Sequence, residues 1–76
     1  MEINIIILNI INMKKFAVIR RLSDNKYCPY PLQDTNSAEM MIRSILNEKG
    51  GTRENYTIDF ITLDEYKSLD IAKDLY

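Results

Sequence analysis

KFAVIRRL, residues Lys15 to Leu22, is apolar at Phe16, Val18 and Leu22 and again at Ala17 and Ile19. In an extended chain, alternation places the first set on one face and the second on the other. A strand apolar on both faces needs cover on both, which is the pattern of a central position in a sheet. Arg20 and Arg21 point to opposite faces of that strand.

Downstream, Ser23-Asp24-Asn25-Lys26 is a turn signal, because Asp and Asn tolerate left-handed φ and bond their own backbone. Tyr27 to Leu32 reads YCPYPL and is extended. Pro29 and Pro31 lack amide donors, which a strand tolerates at a sheet edge. Residues 15–32 therefore read as a hairpin whose second arm is an edge, with Cys28, Tyr30 and Leu32 sharing one face. Asn36 followed by Glu39 reads as a capping box. Ala38, Met41, Ile42, Ile45 and Leu46 then recur at the spacing of one helical face. Gly50 ends the helix, and Lys49 suits the negative end of its dipole.

Tyr56 to Thr62, YTIDFIT, alternates Tyr56, Ile58 and Phe60 with Thr57, Asp59 and Ile61, as a half-buried strand does. Thr62 and Glu65 form a second capping box, opening a helix over 63–74 with a thin stripe of Leu63, Tyr66, Leu69 and Ala72. Asp70 and Asp74 oppose the dipole at its end, so its last turn should fray. The helix after the hairpin can cross over so that the arm 27–32 and the strand 56–62 flank strand 15–22 in parallel.

Upstream, MEINIIILNIIN holds a β-branched run too short to span a bilayer and without the basic start of a signal peptide. Ile3, Ile5 and Ile7 alternate with Ile6, Leu8 and Ile10, so this strand is apolar on both sides. Three readings stand: a doubly covered strand of the domain, a strand shared with a second copy, or an extension ahead of a start at Met13. The shared-strand reading makes Ile3, Ile5, Ile7 and Leu8 a self-association surface. The expected fold is α+β: a small two-layer sandwich, with a three- to four-stranded, mostly antiparallel sheet and two helices on one face, in the order β-β-β-α-β-α. Residues 1–12 are the Ile-rich strand or extension, and 13–76 a single domain.

Composition excludes several chemistries. The 76 residues include no histidine and one cysteine, so no Ser-His-Asp triad, Cys-His dyad, imidazole base or zinc site of Cys and His can be assembled. A lone Cys28 forms no internal disulfide. Ten Lys and Arg against eleven Asp and Glu leave no basic surplus for a dedicated nucleic-acid binder. The only glycines are Gly50-Gly51, so no phosphate-cradling loop can be written. No several-oxygen set at loop spacing marks a metal, and no cofactor or membrane partner is expected.

Cys28-Pro29-Tyr30-Pro31 resembles the glutaredoxin active-site motif, Cys-Pro-Tyr-Cys. That resemblance implies a thioredoxin-like thiol site with Cys28 as nucleophile. Pro31 stands where the family has its second cysteine, and no later proline supplies the family's glutathione-binding segment. The likeness therefore implies at most a degenerate monothiol redox protein. Read from its neighbours alone, Cys28 is a small apolar residue under the helices.

The remaining candidates are surfaces. Tyr27, Tyr30 and Tyr56 are large, low-entropy side chains of the kind enriched in binding patches. Arg20 and Arg21, with Lys14, Lys15 and Lys26, make the hairpin locally basic. They read as a solvated rim, with weak nucleic-acid contact as a lesser alternative. The leading expectation is a small, non-catalytic, cytoplasmic protein that masks a surface on a larger protein through Tyr27, Tyr30, Tyr56, Arg20 and Arg21, and that could also form a homodimer. Accessory proteins of phages and mobile elements have this size and composition.

Overall fold

The computed structural model describes residues 14–75. Strand β1 (Lys15–Arg21) turns into β2 (Lys26–Tyr27). Helix α1 (Thr35–Lys49) and a 3-10 turn (Arg53–Asn55) lead to β3 (Tyr56–Thr62). A one-turn helix α2 (Leu63–Tyr66) and a second 3-10 turn (Lys73–Leu75) follow. Among the described residues the sheet has three strands in the order β2-β1-β3, and both neighbours are antiparallel to β1. The chain is thus a small α+β fold. β1 is central, as its two apolar faces require, and β2 and β3 run parallel to one another with α1 as the connection. The Ile-rich segment with Ile3, Ile5, Ile7 and Leu8, and the start at Met13, lie outside the described residues.

β1 and β3 pair residue for residue, from Lys15 opposite Thr62 to Arg21 opposite Tyr56. Ala17 and Ile19 pack with Ala38, Ile42 and Ile45 of α1, all fully buried, and Met41, Leu46, Leu32 and Ile58 lean on this cluster. Each isoleucine so buried contributes about 1.5–3 kcal/mol. Val18 and Ile61, out of phase with these, are buried on the opposite face of the sheet. The hairpin turn closes through Asn25, at φ 59°, whose N–H donates to the Arg21 carbonyl at 2.8 Å.

The cap of α1, the second arm, the tail and Phe60 depart from the sequence expectations. The cap of α1 is Asp34, which accepts from the Ser37 N–H at 2.8 Å, so the helix starts two residues before Ser37. Glu39, expected to complete a box with Asn36, instead holds Arg53 at 2.7 and 3.0 Å. Two charge-assisted bonds to one guanidinium outweigh the single charge-assisted bond that Glu39 would accept from a backbone N–H at the cap.

The second arm is not a continuous strand. After Tyr27, the Cys28 N–H bonds the Ile19 carbonyl, and the next anchor is a two-way bond between Leu32 and Ala17 at 2.8 Å. Three residues, Pro29-Tyr30-Pro31, thus bulge opposite Val18. Two of them have no amide to donate. The bulge breaks the alternation expected of Cys28, Tyr30 and Leu32: Cys28 is in the core, whereas Tyr30 is 47% exposed.

The arm is not the outer edge along its whole length. The Tyr27 N–H donates to the Asp70 carbonyl and the Tyr27 carbonyl accepts from the Ala72 N–H, at 2.8 and 2.7 Å. These bonds overturn the helix over 63–74. The Thr62–Glu65 capping box forms as expected, but α2 stops at Tyr66. Its end tightens into i to i−3 bonds, and the Ser68 hydroxyl caps the Glu65 carbonyl. The tail then runs extended beside β2, where it satisfies backbone groups that an edge would leave open, and it sets Ala72 and Leu75 into the core. Finally, Phe60 does not share the burial of Tyr56. It lies at the β3 edge and is 55% exposed.

Candidate functional site

β1 presents its two arginines to opposite faces, and each organises a carboxylate brought from far along the chain. On the face away from α1, Arg20 Nε donates to Asp59 Oδ2 at 2.8 Å, and the Tyr27 hydroxyl donates to the same oxygen at 2.7 Å. Arg20 also reaches Asn25 Oδ1 at 2.9 Å. The geometry follows from register: Tyr27 lies directly opposite Arg20 on one side, and Asp59 is diagonal to it on the other. Partial burial pushes the Asp59 carboxyl up. The Arg20 guanidinium and Tyr27 hydroxyl more than reverse this and hold it below its ordinary range. Burial and the facing carboxylate push the Tyr27 phenol up.

Arg21 bridges the hairpin turn to the tail. It grips Asp24 at 2.6 and 3.0 Å and Asp74 at 2.7 Å. The guanidinium holds the Asp24 carboxyl down to about 2, and it lowers that of Asp74. Arg20 and Arg21 are therefore engaged with carboxylates of their own chain. Lys14 lies over the Phe16 ring at 5.4 Å.

The three tyrosines are not brought together. Tyr56 is in the core at 8% exposure, with its carbonyl accepting from Arg53 at 2.6 Å. Tyr27 is half-buried in the Asp59 cluster. Tyr30 projects from the proline bulge. Cys28 is fully buried, and burial pushes its thiol up, the reverse of what a nucleophilic thiolate needs.

Two shallow clefts lie on α1. One, of about 220 Å³, is lined by Glu39, Ile42, Arg43, Leu46 and Arg53. The other, of about 320 Å³, is lined by Ser37, Met40, Met41 and Ser44 and holds no titratable group. Among the described residues no three Asp, Glu or Cys side chains gather as a metal site would require, and no helix is long and apolar enough to cross a membrane.

In the sequence Asp59 stands only as one position in the alternation of Tyr56 to Thr62. Its place two residues along β3 from the position facing Arg20 becomes visible only once the register is known. No family model matches the chain, and no curated protein or solved structure matches it either.

Proposed function

We propose that this chain is a non-catalytic protein-binding module that covers a surface on a larger protein, with Tyr30 as its anchor. The observation that carries this reading is the presentation of Tyr30. The residue is 47% exposed, and the bulge that bears it is fixed at both ends, by Cys28 on Ile19 and by Leu32 on Ala17. A large aromatic side chain on a backbone already ordered loses little further entropy on binding, which is the property of an interface anchor. The Arg20–Asp59–Tyr27 cluster begins three residues back on the same arm. The hydrogen bonds of that cluster are already made within the chain. Tyr56 has little surface to offer and serves the core. The buried, upward-shifted thiol of Cys28 gives the monothiol redox alternative no support, and the pairing of Arg20 and Arg21 gives the nucleic-acid alternative none.

The test is affinity capture from host lysate with wild type, Tyr30→Ala and Leu22→Ala, read by mass spectrometry after circular dichroism has shown all three folded. Leu22 is also exposed but lies at the hairpin turn, away from the bulge. A protein retained by wild type and Leu22→Ala and lost with Tyr30→Ala is the expected result. Capture unaffected by Tyr30→Ala removes the anchor and the reading with it.

A further inference from the structure

The two edges of the sheet are treated differently. On the β2 side, Pro29 and Pro31 remove donors, and the tail satisfies both outward groups of Tyr27. On the β3 side, Tyr56–Thr62 is seven residues long and has no proline, glycine, lysine or bulge, and its one charged residue, Asp59, turns its carboxylate to Arg20. Ala17, Ile19 and Arg21 bond toward β2 and the turn, so Phe16, Val18 and Arg20 bond toward β3. Their partners Ile61, Asp59 and Thr57 bond back to β1. The backbone groups of Ile58 and Phe60 therefore face outward, without a partner among the described residues. Phe60, the large apolar side chain of this edge, is 55% exposed.

We propose that this edge docks a second copy of the chain, two β3 strands pairing antiparallel about a two-fold axis at Phe60. A two-fold pairing must set outward residues against outward residues, so its centre falls at Ile58, Asp59 or Phe60. Centring on Asp59 opposes two carboxylates. Centring on Phe60 sets the exposed rings and the outward backbone groups of Phe60 against their copies, with Asp59 against Ile61, while Thr62 keeps its own N–H on Glu65. The formal charge of the chain is −1, so two copies meet almost without repulsion. A single strand edge covers less than the roughly 800 Å² per partner of a standard interface, so the dimer is a weak one in exchange with monomer. This surface is separate from the Tyr30 bulge, and the proposal stands or falls independently of it.

Sedimentation equilibrium of the full chain, with Phe60→Lys alongside, tests the dimer. The expected result is concentration-dependent dimerisation, weakened roughly tenfold or more by Phe60→Lys. In a Cys28→Ala background, Phe60→Cys should oxidise to a disulfide-linked dimer and Thr57→Cys should not, because facing residues of a hydrogen-bonded pair have Cα atoms about 5.5 Å apart. A chain that stays monomeric at millimolar concentration overturns the proposal. If its Ile58 and Phe60 amides nonetheless resist hydrogen exchange, another segment of the same chain fills the edge. A dimer indifferent to Phe60→Lys, or cross-linking equal at Thr57 and Phe60, overturns it as well.

Discussion

Leu75→Ala distinguishes a tail that belongs to the core from a helix end that frays. Leu75 is fully buried and belongs to the same cluster as Ile19, Ile42 and Ile45. Truncating a fully buried leucine costs about 2–5 kcal/mol, and about 3 kcal/mol is a fair central value. A domain of this size has roughly 4–11 kcal/mol of stability in all, so the substitution removes a large share of it. At about 4–8 °C per kcal/mol, Tm should fall by about 12–24 °C. Urea unfolding should show the midpoint dropping at unchanged slope, because the surface exposed on unfolding hardly changes. Lys73→Ala, an exposed neighbour in the same 3-10 turn, should leave both measurements where they were. A helix over 63–74 would leave Leu75 beyond its end, where truncation costs within about 0.5 kcal/mol. Finding that small change would refute the placement of the tail.

Cys28 should react with a thiol reagent only as fast as the chain opens, and the rate should rise in step with urea; labelling of the folded protein at the rate of a free thiol would contradict its burial. Asp34→Ala should lower Tm and the helical circular dichroism signal, whereas Asn36→Ala should not; the reverse order would restore the capping box first read from the sequence. Asp24 has its folded carboxyl held down to about 2 by Arg21, against an ordinary value of 3.8. Between those values the unfolded chain binds more protons, so stability rises with pH there: the contribution is complete above about pH 4 and is lost as pH falls toward 2. Tm measured from pH 2 to 5 should show this slope, and Asp24→Asn should flatten it; an unchanged slope would refute the ion pair.

What the sequence made legible was local in range. Alternation over eight residues identified β1 and its central position, and the 3.6-residue stripe identified the buried face of α1. The Thr62–Glu65 box was readable because both partners lie within one turn. Competition at close range hid the cap of α1: Asp34, Thr35 and Asn36 all qualify, and only the engagement of Glu39 with Arg53 separates them. The tail was hidden for the opposite reason. Its extended course is set by backbone bonds to Tyr27, more than forty residues away, and no local propensity reports them. The arginines divide in the same way. Their opposite facing followed from strand geometry, but their partners Asp59 and Asp74 lie 39 and 53 residues away.

That pairing has a consequence for recognition. Three of the four arginines, Arg20, Arg21 and Arg53, each hold a carboxylate of their own chain, and the formal charge is −1. Little long-range field remains to steer a partner. Association through Tyr30 or Phe60 should therefore proceed at the unsteered rate, about 10⁵–10⁶ M⁻¹s⁻¹, with little dependence on salt. Discrimination between partners must then come from the shape around an aromatic side chain and from dissociation, not from encounter. A partner whose binding falls steeply with salt would be reading the lysines, and neither the Tyr30 bulge nor the β3 edge would account for it.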